Sequence, residues 1–117
     1  MPPSEFAPQT LVDFARQPGC IEGLSLSVLA PGTIVSVNTR HSHYRMLVID
    51  PRNGRALVTS ASWFTEPTEV RLEGATAGGS VLKTGWIGIG LKLEMSVGRQ
   101  RVTTSRVVSI AVLSIPA

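Results

Sequence analysis

From Leu24 onward the chain alternates between apolar and polar positions. Leu24, Leu26 and Val28 are separated by serines, and Pro31 and Gly32 mark a turn before an apolar stretch at 33–37. A period of two places every second side chain on one face of a strand. The run from Tyr44 to Asp50 is apolar enough for a central strand. Residues 50–54, D-P-R-N-G, form a turn signal, and 55–60 supply the returning strand of a hairpin. Val70 and Leu72 alternate with Glu69, Arg71 and Glu73 over 68–73. Residues 74–79 are small and loop-like, and 80–83 begin another strand. The spacing predicts one longer strand over 86–95, with Gly85, Gly88 and Gly90 as bulge or curvature positions. Residues 98–100 turn the chain, and 101–115 read as one long or broken strand.

Upstream the pattern differs. Residues 1–9, with Pro2, Pro3 and Pro8, are expected to be extended or disordered. Thr10 is placed to cap a short helix over 10–17 that Pro18 and Gly19 stop. The expected fold is all-β: a small antiparallel barrel or sandwich of six to eight short strands with one short N-terminal helix, residues 10–117 forming a single domain.

Composition adds limits. The chain has 117 residues, enough for one core. Charged residues make up only 16%, below the ~25% usual for soluble domains. A surface so sparsely charged suggests a homo-oligomer. Net charge is +3 and the pI about 9.8, with nine Arg against two Lys. That balance permits a nucleic-acid partner without demanding one. Cys20 is the single cysteine, so no intrachain disulfide forms. No segment approaches the ~20 apolar residues of a membrane span, and a cytoplasmic location is expected.

Candidate chemistry gathers at 38–45, which holds both histidines and the single tyrosine. Arg40, His41, His43, Tyr44 and Arg45 are the candidate ligand-binding residues, because Arg beside an aromatic grips phosphate and stacks a base. Strict alternation would put Arg40, Ser42 and Tyr44 on one face and Thr39, His41, His43 and Arg45 on the other. His41 and His43 are also half of a zinc or copper site, with Cys20, Asp50 or Glu94 to complete it. Glu94, grouped by alternation with Lys92, is expected at the surface. Trp63 and Phe64 are expected to anchor an interface or cap the ends of the sheet. No G-x-S-x-G elbow or P-loop occurs, so catalysis is not expected.

The motifs T-R-x-S-x-Y at 39–44, G-A-T-A-G-G-S at 74–80, G-W-I-G-x-G-L-K-L-E at 85–94 and T-S-R-V-V-S-I at 104–110 resemble a family of short, uncharacterised bacterial proteins over roughly 32–112. The resemblance implies a bacterial source and a self-contained β domain, and carries no activity. The sequence thus suggests a non-catalytic binding or regulatory module that self-associates and takes an anionic partner, RNA or DNA, on the 39–45 strip. The alternatives are a small metal-binding protein or metal-dependent enzyme using His41 and His43, and a structural self-assembling protein.

Overall fold

The computed structural model describes residues 22–61, 64–78 and 81–116. The expected helix over 10–17, the expected extended or disordered 1–9 stretch, Cys20 and Trp63 lie outside the described residues.

Nine strands follow in order: β1 (Gly23–Ser25), β2 (Ile34–Thr39), β3 (His43–Asp50), β4 (Arg55–Ser60), β5 (Thr68–Thr76), β6 (Lys83–Thr84), β7 (Trp86–Gly88), β8 (Lys92–Val97) and β9 (Gln100–Ser114). The large sheet has the order β4-β3-β2-β9-β8-β5-β6, and β4 also pairs with β5. That extra ladder joins the two ends, so β2, β3, β4, β5, β8 and β9 form a closed antiparallel ring. β6 continues beside β5 beyond the β4 ladder, and β1 pairs separately with β7. The all-β expectation holds.

Alternation explains what fills the ring. On β3, Tyr44, Met46 and Val48 point inward while His43, Arg45 and Leu47 point out. On β2, Val35 and Val37 join them, and Leu93 and Met95 close the far side from β8. Each such side chain removed from water contributes about 1.5–3 kcal/mol. Leu26, Ile87 and Phe64 are buried against this core from outside the six ring strands.

The β3–β4 hairpin forms as the sequence predicts. Pro51–Asn53 makes one 3-10 turn, and Gly54 ends it in the left-handed region at φ 71°. Asn53 Nδ2 donates to Asp50 Oδ2 at 2.7 Å, which holds the Asp50 carboxyl below its ordinary range.

Two elements differ from expectation. The alternation at 24–28 yields strand only through Ser25; Leu26–Val28 is a 3-10 turn that buries Leu26. The single strand expected over 86–95 divides into β7 and β8. Gly90 takes φ 85°, and Leu91 N donates to the Gly88 carbonyl at 3.1 Å, turning the chain between them. The glycines on β1 and β7 accommodate an indole. A Cβ on Gly23 would lie 2.1 Å from the Trp86 ring, whose other neighbour is Lys83 Nζ, 4.0 Å from the ring centroid.

Gly74 carries the tightest constraint in the ring. It pairs with Glu94 of β8 and with Thr84 of β6. Its φ is 147°, and a Cβ there would meet the Lys83 carbonyl oxygen at 2.1 Å. Gly74→Ala must therefore separate β5 from β6 or strain the backbone. Thermal and denaturant melts should show a loss of about 2–4 kcal/mol; a loss under ~0.5 kcal/mol would contradict the close approach.

Candidate functional site

The β2–β3 connection is made by a side chain. Thr39 is buried at the end of β2. Its Oγ1 donates to the Ser42 carbonyl and accepts from Ser42 N, both at 3.1 Å, while Thr39 N donates to the same carbonyl at 2.8 Å. This hydroxyl-closed turn competes with continued strand. It is pinned to β9 as well: Arg40 N donates to the Arg106 carbonyl at 3.0 Å, and His41 N to Ser105 Oγ at 3.1 Å.

The turn breaks the alternation expected across 39–45. Arg40, His41, His43 and Arg45 are all exposed, and Thr39 and Tyr44 are both buried. Tyr44, a candidate stacking residue by sequence, is 1% exposed. Its ring belongs to the core and presents no face to a ligand. Burial pushes its phenol above the ordinary range, partly opposed by a hydrogen bond with Ser42.

On the outer face the ladder sets the neighbours. Asn38 lies opposite His43, and Ser36 opposite Arg45; Arg45 faces Thr59 on its other side. His43 Nε2 and Ser36 Oγ share a hydrogen bond of 2.7 Å, and Asn38 Nδ2 donates to Ser109 Oγ at 2.9 Å. Beyond the β4 end, Ser60 N donates to the Phe64 carbonyl at 2.7 Å. This bond folds the following loop back beside β3 and leaves an open depression of about 610 Å³. His43 and Arg45 form one wall, Thr59, Ser60 and Thr65 bring hydroxyls, and Phe64, 7% exposed, lies at its base.

The depression is electrostatically one-sided. Among the described residues no acidic side chain lines it. Among the described residues Arg40 and Arg45 have no ion-pair partner, whereas Arg55 pairs with Glu69 and Arg101 with Glu94. Glu94, expected at the surface, has only 14% of its side chain exposed, and the Arg101 guanidinium 2.8 Å away covers its carboxylate. Arg106 is engaged with main chain, donating to the Gly90 carbonyl at 2.8 Å.

The metal reading gathers no further ligands here. His41 stands in the turn and His43 on the strand. Asp50 is at the other end of β3, about 24 Å away at ~3.4 Å per residue. Among the described residues no group of three or more His, Cys, Asp or Glu converges on a point.

The Ser36–His43 contact is a serine beside an imidazole, the first half of a nucleophile arrangement. It lies on a strand face, and among the described residues no carboxylate orients the ring. Thr59, Ser60 and Thr65 were not singled out by sequence, whereas Phe64 was, as an interface anchor or end cap; the β3–β4 ladder sets Thr59 opposite Arg45. Comparison with protein-family models, with curated proteins and with solved structures gives no match to this chain.

Two outcomes follow from this local chemistry. Thr39→Val keeps the shape and loses the hydroxyl, so stability should fall by about 1–2 kcal/mol in denaturant unfolding; an unchanged midpoint would mean that the turn stands without it. Tyr44 should make the fold sensitive to base. Its phenol keeps its proton to higher pH when folded, so its contribution is complete below about pH 10 and is lost as pH rises through the folded value. Tyrosinate absorbance, from this single tyrosine, should appear late and together with unfolding. Tyr44→Phe should flatten the alkaline decline.

Proposed function

We propose that this chain is a non-catalytic binding domain, a small closed β barrel whose outer face at the β3–β4 end takes a phosphate-bearing anionic partner, nucleic acid included. The observation that carries the reading is Arg45. Among the described residues it is an exposed guanidinium with no ion-pair partner, beside His43 and a cluster of hydroxyls, in a depression that no acidic group of those residues lines. Guanidinium donors match phosphate oxygens two at a time, and hydroxyls complete the shell. Arg40 and His41, fixed at main chain by β9, extend the same basic region along the turn.

With Tyr44 in the core, the strip lacks the stacking aromatic that single-strand binders use to hold bases. The supported contact is with phosphate, and recognition should be insensitive to base sequence.

Fluorescence anisotropy with a labelled single-stranded oligonucleotide, competed by inorganic pyrophosphate, tests this. Affinity should fall as salt rises, because bound phosphates release counterions. Arg45→Ala should weaken binding by about tenfold, and Arg99→Ala, in the distant β8–β9 turn, by no more than about twofold. Binding that ignores both salt and Arg45, or no binding at all, would end this reading.

A further inference from the structure

β9 uses its two edges in turn. Positions 100–106 ladder with β8 and 107–114 with β2. Val107 is the last residue held on the β8 side, donating to the Leu91 carbonyl and accepting from Gly90 N, both at 2.8 Å. From Val108 to Ser114 that side of the strand has no main-chain partner among the described residues. Seven residues of backbone thus present their outward donors and acceptors along one open edge.

The other open strand edges are short or guarded. β6 has two residues, one of them Lys83, and β1 has three. The early half of β9 carries Arg101. Positions 107–114 hold neither charge nor proline, and their β2 neighbour is also uncharged. Val108 and Leu113 are 51% and 49% exposed. Natural sheets protect a long apolar edge with lysine, proline or a covering strand; here neither lysine nor proline is present.

We propose that a second copy of the chain is the covering strand, the two β9 edges pairing antiparallel about a two-fold axis near Ala111. A row of backbone donors and acceptors is matched only by another extended backbone. A second copy brings one already held extended by β2, so little ordering entropy is lost on pairing. The arrangement sets Ser109 opposite Leu113 and Val108 opposite Ser114, with no like charges in contact. It is also the charge-free part of the surface, through which two molecules of net charge +3 approach with least repulsion. A two-fold contact uses the same edge on both partners and closes at two. The proposal stands independently of anion binding.

The test uses the full chain. Sedimentation velocity over a wide concentration range should show monomer converting to dimer. Hydrogen exchange of the 108–114 amides should slow as dimer forms. Val108→Lys combined with Leu113→Lys changes two exposed side chains, so the circular dichroism spectrum should be unchanged. It should weaken dimerisation on the order of tenfold or more, because each lysine puts an uncompensated charge on the pairing edge. Three results would overturn the proposal. One is a monomer at every concentration. Another is that the amides of 108–114 not bonded to β2 are already protected in that monomer, which would place a segment of the same chain on the edge. The third is a dimer that survives both lysines with 108–114 exchange independent of concentration, which would put the contact on the Ile34–Leu47–Leu57 face.

Discussion

A four-residue ladder between β4 and β5 makes a ring out of what would otherwise be an open sheet. Arg55 to Val58 pair with Arg71 back to Thr68, and through them the first hairpin meets the strand that leads to β8 and β9. Closure gives the interior its shape. Val35, Met46 and Leu93 lie on three different strands and meet only because the sheet curves back on itself. It also fixes what must be small. Gly74 has no room for a side chain where β6 crosses its position, and Gly54 needs the left-handed conformation where the hairpin ends. The exposed Arg55–Glu69 ion pair spans the closing ladder, but a pair in water adds at most about 1 kcal/mol. The ladder is held by main-chain bonds and by the side chains beneath it.

The same ring separates the two halves of the strip that sequence grouped together. A strand can place a residue inside or outside and nowhere between. Tyr44 and Arg45 are adjacent in sequence, yet one ring stabilises the core while the neighbouring guanidinium meets solvent. The strip is therefore a row of cations and hydroxyls on the outer face of the ring and, among the described residues, has no aromatic platform. Its character comes from where acids are missing. Glu69 and Glu94 are engaged with Arg55 and Arg101 on other strands, so Arg45 keeps its field. Two more basic residues are occupied elsewhere, Lys83 over Trp86 and Arg106 on main-chain carbonyls.

Much of this architecture was legible in the residues. Proline and Asn-Gly at 50–54 marked a hairpin; the register that sets Thr59 beside Arg45 belongs to the ladder itself. Alternation in β5 separated Val70 and Leu72 from Glu69, Arg71 and Glu73, as the structure has them; the nearly continuous apolar run of β3 marked a strand without naming its buried face. Alternation failed where a side chain or a glycine took over from the strand. The Thr39 hydroxyl satisfies both main-chain groups of Ser42, and the resulting turn resets which residues face outward. Gly88 and Gly90 were read as bulge or curvature positions inside one strand over 86–95, because glycine permits many conformations and does not say that the chain turns there. Leu26 obeys the period of two and still lies in a 3-10 turn, because burial against the core outweighed local preference. The depression beside Arg45 depends on Phe64 lying back against the end of β4, where its carbonyl accepts from Ser60 N, a tertiary event with no local pattern.

The order of strands around the ring has a consequence in time. β2 is complete early in the chain, yet its second neighbour is β9, so that Ile34 pairs with Ser114. During synthesis one side of β2 waits, unpaired and uncharged, until the last strand of the ring has emerged. Contacts so distant in sequence slow folding, because a long loop must close before any of them is made. The hairpin of β3 and β4 can form at once; the ring cannot. A chain halted before β9 would present β2 as an unprotected edge, the kind of intermediate that a ribosome-associated chaperone would be required to shield.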